Sequence, residues 1–190
     1  MINSKLDDVK TLNEFAESIR KQQEEAHGEH YCAMHDTINK LAKDCKSYKE
    51  LGVHQGGTLA NALLQPTIKY VEGIDISLEK YNAYLKPIAE SYAKENKKVL
   101  KMKEVDSTSI ESLGYATDML VIDSYHKSFH MQKELERHGQ YVKQYIVAHD
   151  THLPDDQLYW CLSNWGADNG WSVLIRNENN VGFVVMKKNG

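Results

Sequence analysis

"YKELGVHQGGTLANALLQ", residues 48–65, decides the fold. It opens as a strand, passes three glycines at positions 52, 56 and 57, and continues as an apolar run of helical character. Bare backbone at a strand-to-helix corner is what an open α/β sheet uses to let a ligand approach beyond the carboxyl ends of its strands. The spacing is E-x-G-x-x-x-G-G, which differs from the G-x-G-x-x-G of dinucleotide sites. No Lys-Ser or Lys-Thr follows, as a phosphate-binding loop would require. A phosphate ester is therefore a poor fit, and an NAD-linked dehydrogenase is disfavoured. Asp75, 18 residues beyond Gly57 in "VEGIDIS", closes the next apolar run. An acidic side chain there can accept hydrogen bonds from both hydroxyls of a ribose, so the pattern points to a nucleoside without a pyrophosphate.

Outward from this corner, short apolar runs alternate with helical stretches, the mark of βαβ units and a parallel sheet. Strands are expected near Tyr48–Val53, Thr67–Ile74, Val99–Glu104, Asp118–Asp123 and Gln144–Ala148. Helices are expected near Gly57–Leu64, Leu78–Asn96, Ser109–Leu113 and Ser128–Gly139, the second kinked or split at Pro87 because proline removes an interior donor. "GWSVLIRNENNVGFVVMKKNG" reads as two β runs joined by a short polar link. Asn179-Asn180 are suited to the positive φ angles of a tight hairpin, giving an antiparallel closure to the sheet. Upstream, from Ser4 to about Ser47, apolar residues recur at three or four (Leu6, Val9, Leu12, Phe15, Ile19, then Tyr31, Met34, Ile38, Leu41, Cys45), predicting two amphipathic helices divided at Gly28. The predicted fold class is α/β: a Rossmann-like, doubly wound sheet of about seven strands. Residues 1–47 form a helical lid or oligomerisation segment before a domain of residues 48–190, all in one compact unit.

Composition bounds the function. The 190 residues are 41% hydrophobic and 26% charged, enough for one buried core. The formal charge of −4 comes without a block of either sign, which disfavours a nucleic-acid partner. Cys32, Cys45 and Cys161 lie far apart with no CxxC spacing, as expected of reduced thiols. With no apolar leader in "MINSKLDDVK" and no membrane-length apolar run, a cytoplasmic location is expected.

The blocks "ELGVHQGGT", "GIDIS", "VDS", "MLVIDSYH" and "YIVAHDT", in this order between residues 50 and 151, carry a resemblance. The chain resembles the class I S-adenosylmethionine-dependent methyltransferases, more narrowly the cephalosporin-hydroxylase-like and macrocin-type O-methyltransferase branch. Counting the terminal hairpin, the resemblance covers about 140 of the 190 residues. It implies S-adenosylmethionine as cofactor, with Glu50, Gly52, Gly56 and Thr58 around its methionine half, Asp75 on the ribose, and Asp106 and Ser107 beside the adenine. It also implies a divalent ion (Mg²⁺ or Mn²⁺) at Asp123 and Asp150, with His149 as a further ligand and His126 as general base toward a small-molecule acceptor. One departure stands out. The resembling enzymes carry Glu-Asp where this chain has His149-Asp150, and an imidazole in place of a carboxylate favours a softer first-row metal, or none.

Two clusters read differently. "HGEHYCAMH" holds His27, His30, Cys32 and His35, but helical spacing would spread them around an axis, so a zinc site is not expected. Trp165 with Leu158, Cys161 and Leu162 fits the buried stripe of a helix. Two further readings stay open: a metal-independent N- or O-methyltransferase, and a non-catalytic module that binds a cofactor or partner. The paired N-terminal helices also offer a contact between copies of the chain.

Overall fold

A computed structural model describes residues 6, 9–153 and 157–190. The chain first forms two helices, α1 (Leu12–His27) and α2 (Ala33–Leu41). α1 starts where Thr11 and Glu14 satisfy each other reciprocally: the Thr11 hydroxyl accepts from the Glu14 amide at 3.2 Å, and the Glu14 carboxylate accepts from the Thr11 amide at 3.0 Å. It ends at Gly28, whose φ of 96° lies outside the range most residues adopt. The expected division at Gly28 is thus observed, while the part of the first helix expected at residues 4–5 and 7–8 falls outside the described residues. Arg20 of α1 grips Asp36 of α2 through both terminal guanidinium nitrogens, at 2.5 and 2.8 Å, and ties the two helices together.

The sheet follows as β1 (Ser47–Leu51), β2 (Tyr70–Asp75), β3 (Val99–Glu104), β4 (Thr117–Ile122), β5 (Val142–His149), β6 (Trp171–Asn177) and β7 (Phe183–Lys188). The spatial order is β3-β2-β1-β4-β5-β7-β6. β1 to β5 pair in parallel, and β7 runs antiparallel to both β5 and β6. β4, at the centre, is buried at every position, as a strand covered on both faces must be. Between strands come α3 (Gly57–Leu64), α4 (Glu79–Tyr84), α5 (Lys86–Glu95), α6 (Ser128–His138) and α7 (Gln157–Asp168).

Several expectations are sharpened. The helix expected over Leu78–Asn96 is two helices, with Pro87 in the first turn of the second, where its missing N–H costs nothing. The helix expected at Ser109–Leu113 is a single 3-10 turn at Ile110–Ser112. The hairpin link spans five residues, 178–182, and its left-handed positions are Asn180 (φ 55°) and Gly182 (φ 71°). The Asn179-Asn180 pair therefore does not make a two-residue turn; Gly182 is needed both for its positive angle and because a Cβ there would lie 2.4 Å from that of His152.

Two cores result. One side of the sheet packs Tyr48, Val71, Met119, Val121 and Val147 against α1–α5, and the other packs Leu51, Ile74, Leu120, Ile122 and Ile146 against α6 and α7. Residues alternate between these sets along β4, β5 and β7, as the two-residue period demands. Each fully buried Leu, Ile or Phe contributes about 2 kcal/mol of transfer free energy. Leu158 and Leu162 of α7 are buried with Trp165 and Cys161 packed beside them, the expected stripe; Trp171 is buried and Trp160 is exposed. No described helix is long and apolar enough to cross a membrane.

Candidate active site

The strand order reverses at β1, with β2 on one side and β4 on the other, and this is where an α/β sheet opens a crevice at its carboxyl end. A cavity of about 720 Å³ lies there, with α1 and the start of α2 forming its outer wall. Its floor is the glycine corner. Gly52 has φ 86°, and a Cβ on it would lie 2.0 Å from the Asp123 carbonyl oxygen, so the end of β1 presses directly on the end of β4. Gly56, also at φ 86°, caps α3 in the left-handed region. Here glycine answers two demands, backbone angle and close approach.

Asp75, at the end of β2, accepts from the amides of Val53 at 2.7 Å and His54 at 2.8 Å through one oxygen, and from the Ser77 amide at 3.0 Å through the other. It lines the cavity and shapes the glycine loop at the same time. Glu50 is in a different position from the one its motif suggests. It is buried beneath the loop, away from the cavity wall, accepting from the Tyr48 hydroxyl at 2.7 Å and from the Thr58 hydroxyl. Burial pushes its carboxyl up to about 8, against the pull of those two hydroxyls. Glu50 therefore reaches the cavity through Thr58, which lines it. Gly52, Gly56, Asp106 and Ser107 line it directly.

On the β4 and β5 side, four groups meet. His126 Nε2 lies 2.8 Å from Asp150 Oδ2 and 3.5 Å from Asp123 Oδ1, and His149 Nδ1 lies 3.1 Å from Asp123 Oδ1 and 3.3 Å from Asp150 Oδ2. Successive residues of a strand point to opposite faces, yet His149 and Asp150 both reach this cluster. The reason is local: Asp150, just past β5, takes φ 54° and turns its side chain back. Asp123 and Asp150 raise His126 to about 9. Burial works against a charged His149, but the same two carboxylates outweigh it and lift that imidazole to about 10. In turn, the imidazoles overcome the effect of burial and hold both carboxyls below their usual range. The residue expected as general base is thus an ion-pair partner of both carboxylates in this structure. The ligand atoms of Asp123, His126 and Asp150 all lie within 4.8 Å of one another, close enough to share a cation.

The histidines of the N-terminal segment do not gather. Among the described residues no metal-ligating group forms there. His27 stacks on Tyr31 with ring centroids 4.4 Å apart, and Tyr31 meets the edge of His149 at 5.8 Å. Burial, then Asp123 and Asp150, push the Tyr31 phenol up to about 12. Tyr31, His130 and Ser124 line the cavity and were not singled out by motif. The apolar period that placed Tyr31 on a buried helix face concealed it, since Tyr31 stands in the turn before α2.

No protein-family model and no curated protein matches this sequence. Solved structures do. An O-methyltransferase family protein from Burkholderia thailandensis superposes with a TM-score of 0.66 at 11% identity, over 94% of this chain and 59% of that one. A caffeoyl-CoA O-methyltransferase-like protein from Staphylococcus aureus gives 0.66 at 17% identity, over 92% of both chains. The N-methyltransferase NodS from Bradyrhizobium japonicum, in complex with S-adenosyl-L-homocysteine, gives 0.57 at 11% identity, over 85% and 89%. The chain thus spans less than two thirds of the first of these proteins. Together with the reversed β7, these likenesses show that the chain has the seven-stranded, Rossmann-like fold of S-adenosylmethionine-dependent methyltransferases.

Proposed function

We propose that this protein methylates a hydroxyl group of a small molecule, with S-adenosylmethionine as donor and a divalent ion at Asp123 and Asp150. One observation carries the reading: the glycine corner with Asp75 and the Asp123–His126–His149–Asp150 cluster open into the same cavity. Its volume of about 720 Å³ is in the range of small-molecule sites. Solved methyltransferases that share the fold, O-methyltransferases among them, support the reaction class. The narrower macrocin-type branch rests on the sequence blocks alone.

The donor set fits a dication. Two carboxylates with imidazole nitrogen suit Mn²⁺ or a neighbouring first-row ion better than Mg²⁺. When bound, the sulfonium supplies an electrophilic methyl carbon and the ion lowers the pKa of an acceptor hydroxyl. The chain does the rest by position. Asp75 and the glycine backbone hold the nucleoside end, and Thr58, set by Glu50, faces the amino-acid end. His126, half-exposed at the rim, is placed to take the acceptor proton. While both carboxylates hold it as imidazolium it cannot do so, and its role requires them to turn away.

A second reading drops the ion, and a specific observation favours it: each carboxylate already has imidazole partners. Calorimetric titration with S-adenosylmethionine, with and without Mn²⁺ or Mg²⁺, separates the two. Micromolar binding of the cofactor and none of NAD is expected, with Mn²⁺ bound at the cluster. Lack of cofactor binding overturns the function; cofactor binding without metal binding leaves the ion-free reading. Once a screen of hydroxylated small molecules has given an acceptor, His126→Gln should lower turnover roughly 10²- to 10⁴-fold and leave cofactor affinity intact. Full turnover from pH 5.5 to 8 would remove His126 as base. Cofactor binding without turnover on any acceptor would favour a binding module.

A further inference from the structure

The connection from β3 to β4, residues 105–116, carries Asp106 and Ser107 into the cavity but contains only one 3-10 turn. It has little regular structure of its own to hold that corner in place. The corner is held from α6. Glu134, with no exposed surface, accepts hydrogen bonds on one carboxylate oxygen from the Ser107 hydroxyl and from the Ser124 hydroxyl at 2.6 Å. His130 Nε2 lies 3.3 Å from the same oxygen. One turn further along α6, His138 Nε2 lies 2.9 Å from the Ser107 carbonyl oxygen. Residues 130, 134 and 138 recur at four, so they occupy one face of the helix. That face is polar and turned inward: Glu134 and His138 are buried and His130 lines the cavity.

A buried carboxylate is costly unless donors surround it, so a purely structural role would be filled as well by an apolar side chain. What the carboxylate adds is direction. It ties the loop after β3 (Ser107), the end of β4 (Ser124) and α6 (His130) to one point, and all three tied residues line the cavity. We infer that Glu134 is a positioning residue for the base end of the nucleoside: through Ser107 it fixes the Asp106–Ser107 corner, and so sets which purine the crevice accepts. The inference rests on the proposed binding of S-adenosylmethionine. Glu134 itself touches no ligand; it acts on the base through the corner it holds.

The test is the ratio of dissociation constants for S-inosylhomocysteine and S-adenosylhomocysteine, which differ only at the purine edge. The wild type should prefer the adenine form at least tenfold. Glu134→Leu, similar in volume but without an acceptor, should bring the ratio close to one. Glu134→Gln, whose carbonyl oxygen can still accept from both serines, should restore most of the preference. General destabilisation would weaken both ligands alike and leave the ratio unchanged. Should Glu134→Leu fail to fold, Ser107→Ala and Glu134→Asp, whose shorter side chain draws the carboxylate away from Ser107, form the check: if Glu134 acts through Ser107, their effects on the ratio should not add. An unchanged ratio in a folded Glu134→Leu protein, or additive effects in the pair, overturns the inference. Absence of S-adenosylhomocysteine binding to the wild type overturns the functional reading beneath it instead.

Discussion

Two acidic corners line the cavity and use their carboxylates in opposite ways. Asp75 gives its oxygens to three backbone amides of its own neighbourhood, whereas Asp123 and Asp150 give theirs to the side chains of His126 and His149. Amides in a loop cannot leave without the loop changing shape; imidazoles can rotate. The first corner is consequently a fixed mould and the second a set of contacts open to exchange. The proposed methyl transfer would use both, one part that defines where a cofactor lies and one that can release and take up partners.

The largest effect should come where the corners touch. Gly52→Ala places a Cβ 2.0 Å from the Asp123 carbonyl oxygen at a φ of 86°, so both corners must move. A loss of more than about 3 kcal/mol is expected from strain and displaced backbone together, read by urea denaturation. A folded Gly52→Ala protein of wild-type stability would show that the corners are independent.

Next in size is a matched pair. Asp75→Ala strips the acceptor from one half-buried and two exposed loop amides at once and should cost about 1–2 kcal/mol of stability as well as cofactor affinity. Asp150→Ala, whose partners are the half-exposed His126 and the buried His149, both of which keep Asp123, should cost about 1 kcal/mol. If Asp150→Ala proved the more damaging to stability, the division into mould and exchangeable contacts would be wrong.

The smallest effect concerns His35, which is as buried as His149 but has the opposite charge preference. Burial, with His149 and Arg20 nearby, pushes the His35 imidazole down to about 4, outweighing Asp123 and Asp36; its ring nitrogen meets the Asn61 amide at 3.3 Å. Because its folded pKa lies below the unfolded value, its contribution is full above about pH 6.5 and is lost as pH falls toward 4. At pH 5.5 the loss is about 1 kcal/mol. Comparing denaturation at pH 7.5 and 5.5, His35→Gln should show a smaller decrease than the wild type. An equal decrease would mean that His35 is not the buried neutral group.

The sheet was legible because its signals are short-range. Three glycines after an apolar run, Pro87 within a helical period and the C-terminal β runs each constrain backbone within a few residues. The fate of Glu50 was not legible: its motif position names the strand end, but Tyr48 and Thr58, which draw it under the loop, act through packing. Glu134 and His138 were hidden for a related reason. On the page a polar stripe at every fourth residue resembles a solvated helix face, and only the helix-poor connection from β3 to β4 turns it into a buried clamp. His149-Asp150 showed the chemistry of a departure, yet not that a left-handed Asp150 would bring both side chains to one point.

The position of β7 has a consequence for synthesis. β6 leaves the ribosome before β7, yet β7 is its partner in the sheet, lying between it and β5. The earlier strand has no native neighbour until the later one arrives. The two therefore reach the sheet as a hairpin, and β5, which borders the cluster of Asp123, His149 and Asp150, keeps an open edge from its own synthesis until that of β7. Within the sheet, the parallel strands that form the cavity are made before the hairpin that covers their β5 edge.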